Sequence, residues 1–239
     1  MSTIVAISTA PGIGGIGIIR MSGEESFNIL SKIFVPKNQG EIENYKIKYG
    51  KIINSSTKEE IDEVLVSYFI APKSYTTENM CEINSHGGIV IMNKILEECL
   101  KNGAELAEPG EFTKRAFLNG RIDLSQAEAV IDIINAKSNI EAKASMNQLR
   151  GSLSQKINKI KEKIISIMVG IEASIDYPEY DVPEVTSEDV RTKIKEILKE
   201  LKELENSFDD GKIIREGIKT VIIGTPNAGK SSLLNAILD

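Results

Sequence analysis

Near its C-terminal end the chain carries Gly224-Thr225-Pro226-Asn227-Ala228-Gly229-Lys230-Ser231, which satisfies the spacing GxxxxGK[ST] in full. That combination is suited to polyphosphate. Glycines let the backbone come close, and consecutive loop N–H groups join the positive end of a following helix in surrounding phosphate oxygens. Lys230 would add a point charge at the β- and γ-phosphates, and the Ser231 hydroxyl would hold Mg²⁺. The flanks fit this reading: Lys219–Gly224, centred on Val221-Ile222-Ile223, predicts a buried strand, and Ser232–Leu238 predicts a helix. Eight residues follow Ser231, too few for the further strands and the Mg²⁺-side aspartate that hydrolysis requires. The catalytic residues are therefore expected beyond residue 239, and these residues alone are expected to hydrolyse nucleotide negligibly.

A second cluster, Gly12-Ile13-Gly14-Gly15-Ile16-Gly17, also fits GxGxxG, the spacing of dinucleotide-binding loops. Such loops open a helix whose dipole faces the pyrophosphate. Here Gly17-Ile18-Ile19-Arg20 reads instead as a strand, so the cluster is taken as a glycine loop that lets backbone approach a flat ligand or another subunit. Arg20, at the end of that strand, is either a surface residue or a carboxylate clamp. His86, in Ser85-His86-Gly87-Gly88, is the only histidine, which excludes a histidine-based triad and a multi-histidine metal site; at a strand-to-helix junction it reads as structural. Between Pro109 and Arg121, Lys114, Arg115 and Arg121 either hold an anion or form ion pairs at a domain junction.

The elements that must carry these residues change character near residue 110 and again near residue 217. Before the first change, β-branched runs predict strands at Thr3–Ser8, Gly17–Met21, Tyr45–Ile53, Glu63–Ile70 and Cys81–Asn84, with helices over Glu24–Ile33 and Ile89–Lys101. This mixture predicts an α+β domain over residues 1–118. Residues 119–216 lack strand patterns and predict an α-helical bundle domain. Asp123 or Ser125 caps a first helix, with Gln126 and Glu128 near capping-box positions. Leu153, Ile157, Ile160, Ile164, Ile167 and Ile171 step by the 4-3 alternation of an apolar seam, as do Val190, Ile194, Ile197, Leu201, Leu204 and Phe208. Pro178 and Pro183 between the two seams turn the chain back into an antiparallel pair. Residues 217–239 are the first strand, P-loop and helix of an α/β domain.

The chain's 41% apolar and 27% charged residues are those of an ordinary globular protein, with no apolar run of membrane-spanning length and no N-terminal targeting pattern, so a cytoplasmic location is expected. The net charge of −6 excludes nucleic-acid binding through an overall positive field. Between Lys137 and Lys163, however, seven basic residues face two acidic ones, while Glu172–Asp210 holds thirteen acidic and five basic. These are solvated faces that attract one another across the bundle, or a basic stripe for RNA phosphates. Cys81 and Cys99 lack metal-ligand spacing and read as buried, reduced thiols.

Several strings together resemble one family. They are Thr3-Ile4-Val5-Ala6, Pro11-Gly12 with Gly14-Gly15, Gly17-Ile18-Ile19-Arg20, Ser74-Tyr75-Thr76 and His86-Gly87-Gly88. To them are added the long run Glu108 through Gly120, Asp123-Leu124 with Gln126-Ala127-Glu128-Ala129, Ile175-Asp176 with Pro178, and Pro226 through Asn235. Along its whole length the chain resembles the MnmE-type (TrmE) tRNA modification GTPases. The resemblance implies an N-terminal folate-binding domain that forms a homodimer, a helical domain, and a GTPase domain inserted into it. It further implies GTP hydrolysis coupled to C5 modification of the wobble uridine (U34) of tRNA. The implied partner is a flavoprotein of the MnmG (GidA) type, and 5-formyl- or 5,10-methylenetetrahydrofolate is the implied one-carbon donor. The folate contacts implied are Arg20, Glu82 and Arg121; the GTP contacts are Asn227, Ala228, Gly229, Lys230, Ser231 and Ser232, with Ser231 on Mg²⁺ and Asn227 on K⁺. The sequence departs from the family pattern at Ala10, Ile13, Thr77-Glu78-Asn79 and Thr225. Two other readings stay open: a folate-binding dimerisation module without GTPase activity, and an ATP-dependent P-loop protein.

Overall fold

A computed structural model of the protein describes residues 1–38, 40–176, 187–218 and 220–238, the side chains of 208–210, 213–216 and 238 excepted. The turn around Pro178 and Pro183 lies outside the described residues. Two compact units divide at Val130/Ile131.

The first unit is built on a seven-stranded sheet. In chain order the strands are β1 (Ile4–Ile7), β2 (Gly17–Ser22), β3 (Phe34–Pro36), β4 (Ile47–Ile53), β5 (Glu60–Phe69), β6 (Met80–Ser85) and β7 (Glu105–Leu106). Their spatial order is β3-β4-β5-β6-β2-β1-β7, antiparallel throughout except for the β1/β7 pair. Helices α1 (Ser26–Ile33) and α2 (Ile89–Lys101) pack on one face. The five expected strands are all present within a few residues, and α2 has the expected bounds. The first helix begins at Ser26 rather than Glu24. The Glu25 amide donates to Thr3 Oγ1 and the Ser26 hydroxyl to the Asn79 carbonyl, which spends the start of the segment on a turn.

Alternation decides which face of each strand meets the helices. Ile19 and Met21 on β2, Val64 and Val66 on β5, and Cys81 and Ile83 on β6 are all at most 2% exposed and join Ile29, Leu30, Ile33, Ile95 and Cys99 of the helices in one core. Each full-sized aliphatic side chain there contributes about 1.5–3 kcal/mol. Both cysteines are free, and burial first of all pushes their thiols up, Cys99 to about 12, so they behave as small apolar side chains. Two short edge strands, β3 and β7, had no sequence signal. Three and two residues long, they carry too little pattern to read, and Pro36 suits an edge because it has no N–H to leave unpaired.

Glu98 on α2 is 1% exposed, yet its carboxylate is fully used. It accepts from Asn54 Nδ2 at 2.9 Å, from the Ser55 amide at 2.9 Å and hydroxyl at 2.8 Å, and from Lys101 Nζ at 3.0 Å. It thereby fastens the β4–β5 turn to the helical layer.

After α3 (Glu111–Leu118), helix α4 (Leu124–Asn135) opens with the expected cap. Asp123 Oδ1 accepts from the Gln126 amide at 2.9 Å while Gln126 Oε1 accepts from the Asp123 amide at 3.0 Å, a reciprocal capping box. In the second unit, α5 (Asn139–Leu149), capped by Ser138, packs with α6 (Ser152–Asp176) and α7 (Ser187–Glu216). The expected seam is only partly closed. Ile160, Ile167 and Ile197 are buried with Val190 and Leu204 against them, whereas Ile157, Ile164, Ile171, Ile194 and Leu201 remain 37–50% exposed. Two facing helices can shelter only the central line of an apolar stripe. Lys163 pairs with Glu200 across α6 and α7, in the manner of mutually attracting faces. Residues 220–225 form no ladder among the described residues and lead into the P-loop and α8 (Lys230–Leu238). None of the described helices is long and apolar enough to cross a membrane.

Candidate functional site

The face of the sheet opposite α1 and α2 carries the first site. Because Ile19 and Met21 point into the core, Arg20 between them points away, and Glu82 does the same between Cys81 and Ile83. The β2/β6 register sets the two directly opposite each other. Arg20 donates to Glu82 Oε1 from Nε at 2.8 Å and Nη2 at 2.7 Å, a charge-assisted pair on the floor of a cleft of about 630 Å³. Arg121 lines the same cleft, with its Nη1 3.2 Å from the Tyr75 carbonyl oxygen. The three residues named by the resemblance are thus brought together from β2, β6 and the segment after α3.

Tyr75 joins them. Arg20 lies 5.6 Å and Arg121 4.8 Å from the centre of its ring, and Arg20 is also 5.6 Å from that of Phe112. Tyr75 is fixed in turn by a 2.9 Å hydrogen bond between its hydroxyl and Thr113 Oγ1. The loop that bears it is fastened from below. Arg115, only 4% exposed, donates to both oxygens of Glu78 at 3.2 Å, to Glu111 Oε1 at 2.9 Å and to the Ser2 carbonyl at 2.7 Å. Ser22 binds Thr76 Oγ1 and Glu78 Oε2, and Asn119 Nδ2 donates to the Thr76 carbonyl. Burial pushes the Glu111 carboxyl up, but the Glu108 amide and the Arg115 guanidinium outweigh it and hold the group below its ordinary value. Of the two readings for the basic residues here, Arg115 is an ion-pair residue and Arg121 is a cleft residue. Sequence reasoning did not single out Tyr75, Phe112 and Glu78 as site residues; the available signal for Tyr75 and Phe112 was their place in the strings carrying the family resemblance, whereas Glu78 lies in a segment that departs from the family pattern.

His86 lies outside the cleft. Its Nδ1 is 2.7 Å from Asp62 Oδ1, and the hydrogen bond to Asp62, followed by that carboxylate's charge, pushes the exposed imidazole's pKa up. The neighbouring Gly87 is needed for packing: a Cβ there would stand 2.6 Å from the Gly14 carbonyl oxygen, so the glycine loop closes on its own chain at this point. Ile13, Ile16, Ile89 and Val90 nearby are 56–94% exposed.

The second site is the P-loop. Asn227 and Gly229 adopt φ of 64° and 79°, the left-handed conformation that asparagine and glycine tolerate. Lys230 Nζ donates to the carbonyls of Gly224 at 3.1 Å and Thr225 at 2.7 Å, so its ammonium folds back over the loop. Ser231 and Ser232 occupy the first turn of α8, at the positive end of that helix.

Comparison with known proteins covers both units. Residues 3–121 match the family described as "GTP-binding protein TrmE N-terminus", and residues 124–238 match "MnmE helical domain". The chain is 54% identical over 236 residues to the tRNA modification GTPase MnmE of Acetivibrio thermocellus, covering 98% of this chain and 51% of that protein. It is likewise 54% identical over 239 residues to that of Carboxydothermus hydrogenoformans and 53% to that of Desulforamulus reducens, with 99% of this chain and 52% of each relative covered. The chain therefore spans about half the length of the curated relatives it matches.

Proposed function

Since this chain belongs to the MnmE (TrmE) family of tRNA modification GTPases, we propose that it is the front part of a cytoplasmic, GTP-hydrolysing protein of wobble-uridine C5 modification. In this reading the protein works on tRNA with a flavin-dependent partner of the MnmG type and takes a one-carbon unit from 5-formyl- or 5,10-methylenetetrahydrofolate. Residues 1–118 are the folate-binding domain, 119–216 the helical domain and 217–239 the start of the GTPase domain.

The observation that carries the proposal is the cleft in which Arg20, Glu82 and Arg121 converge. Its donor set suits a reduced folate. Guanidinium N–H groups and a carboxylate side by side on the floor complement the keto and amino groups along one edge of a pterin. The Tyr75 ring offers a flat apolar wall, and the Arg121 guanidinium, which among the described residues is bonded only to neutral groups, offers charge to a carboxylate. Bound there, the folate would supply the one-carbon unit, and the chain's own residues would orient it. At the second site, Asn227 through Ser232 would hold the phosphates of GTP, with Ser231 on Mg²⁺ and Asn227 on K⁺. The left-handed Asn227 and Gly229, the N-terminus of α8 and the Lys230 ammonium fit that anion. A monovalent cation beside the phosphates would provide the charge stabilisation that an arginine supplies elsewhere. The exposed aliphatic group of Ile13, Ile16, Ile89 and Val90 supports self-association of the N-terminal domain.

Val221 and Ile223 before the P-loop are 78% and 89% exposed. This favours a second reading for these residues by themselves, a folate-binding dimerisation module without GTPase activity. Calorimetric titration of the chain with 5-formyltetrahydrofolate, and separately with GTP, tests both. Folate uptake that disappears in Arg20→Ala is the expected result, and GTP binding decides between the readings for the isolated chain. Failure of the wild-type chain to take up any reduced folate overturns the proposal.

A further inference from the structure

We propose that Asn119 and Gly120 are positioning residues for Arg121: the capped end of α3 aims this guanidinium at the cleft, and both residues act through it rather than on the ligand. The inference rests on the folate reading above and deepens it.

The three charged residues of that reading are not placed in the same way. Arg20 and Glu82 are set opposite each other by the register of β2 and β6. Arg121 instead follows Asn119, the residue that closes α3, and Gly120. Its place depends on how that helix ends. The Gly120 amide donates to the Phe117 carbonyl at 3.0 Å and the Arg121 amide to the Ala116 carbonyl at 2.9 Å, with Gly120 at a φ of 74°. This pair of bonds around a left-handed residue is a Schellman cap, which satisfies two of the last carbonyls of the helix. A Cβ at Gly120 would meet nothing within 4 Å, so the left-handed backbone, and not crowding, asks for glycine there. The cap fixes the direction in which the chain leaves α3, and with it the point from which the Arg121 side chain starts.

The side chains on either side of Gly120 then grip the facing loop at two successive carbonyls. Asn119 Nδ2 donates to the Thr76 carbonyl at 2.7 Å, and Arg121 Nη1 to the Tyr75 carbonyl at 3.2 Å. Thr76 is a firm anchor, because it is 0% exposed and its hydroxyl lies 2.6 Å from Ser22 Oγ. Asn119 thereby holds the end of α3 against the Tyr75 loop, and the Arg121 guanidinium comes to lie 4.8 Å from the centre of the Tyr75 ring. A cation fixed in this way before the ligand arrives loses less freedom on binding than one on a loose chain.

The test is a calorimetric titration of the wild-type chain, Asn119→Ala, Arg121→Ala and the double variant with 5-formyltetrahydrofolate. Asn119→Ala should weaken binding about three- to tenfold, the range of one hydrogen bond to a neutral acceptor. In the Arg121→Ala background the same change should cost less than about twofold, a non-additivity that a merely structural role would not produce. Gly120 gives an independent arm. Gly120→Ala should weaken binding about fivefold, whereas Gly120→Asn, which tolerates the left-handed conformation, should stay within about twofold of the wild type. An Asn119→Ala loss that is the same with and without Arg121, or wild-type affinity in Asn119→Ala or Gly120→Ala, refutes the positioning role and leaves the folate reading standing. If the wild type takes up no 5-formyltetrahydrofolate, the folate reading itself fails and the positioning role with it.

Discussion

Replacement of Arg115 by methionine is the sharpest test of how this molecule holds its cleft. The side chain is 4% exposed and bridges Glu78, Glu111 and the Ser2 carbonyl, tying the N-terminus, the Tyr75 loop and α3 together. Arg115→Met keeps most of the apolar stem and removes the charge, leaving two carboxylates and a carbonyl without their donor. Breaking a buried pair in this way costs about 3–5 kcal/mol. Glu78 and Glu111 retain 16% and 19% side-chain exposure, so the lower end, about 3 kcal/mol, is expected here. Urea unfolding of the wild-type and variant chains, followed by circular dichroism at pH 7, measures it. The pH dependence provides a second handle. In the wild type Glu111 titrates below its ordinary value, so its contribution is present above the unfolded value of about 4.3 and is lost as pH falls through the folded one. Removing Arg115 takes away two of the influences that hold the group down and leaves burial opposed by the Glu108 amide, so Glu111 titrates higher in the variant than in the wild type and the deficit should narrow as pH drops from 7 toward 4. Adding Glu78→Gln, which removes one of the orphaned charges, should recover part of the loss. A deficit under about 1 kcal/mol at pH 7, or one that is flat between pH 7 and 4, would show that Arg115 is not a buried electrostatic clamp.

Further expectations concern the two sites. Arg20→Ala should cost at least about 1.5–3 kcal/mol of folate affinity, one charge-assisted hydrogen bond, and unchanged affinity would remove Arg20 from the site. Tyr75→Phe should retain ligand binding, because the ring faces both arginines, whereas Tyr75→Ala should weaken it about tenfold at an unchanged melting temperature. In the full-length protein, Lys230→Ala should abolish GTP binding and spare folate binding, and calorimetry with each ligand distinguishes the two effects. Glu98→Ala should destabilise the N-terminal unit by about 1–3 kcal/mol, since the Ser55 amide and the Asn54 side chain lose their acceptor; thermal melts would check this.

Much of this protein is local in origin. The capping box at Asp123 and Gln126 needs only residues three apart, and the P-loop conformation needs only glycine, asparagine and a following helix. Such features can be read directly from the chain. The alternation that makes Ile19 and Met21 apolar and Arg20 charged was equally visible, yet by itself it left Arg20 as surface residue or clamp. Short edges such as Phe34–Pro36 and Glu105–Leu106 carried too few residues to show a period. The buried Glu98 was unreadable because its partners lie 43 and 44 residues away.

The order of apolar, charged and glycine residues was enough to determine the longer strands and helices of the N-terminal unit, the phosphate loop and the family resemblance, because each depends on neighbours a few positions apart. Which charges meet was decided by the β2/β6 register and by the loop carrying Tyr75. Register sets Arg20 against Glu82 across 62 residues of chain, and the Arg115 clamp brings Tyr75 to both arginines. Ion pairs and ring contacts act over a few ångströms of space, and only the folded sheet turns such long separations along the chain into short ones.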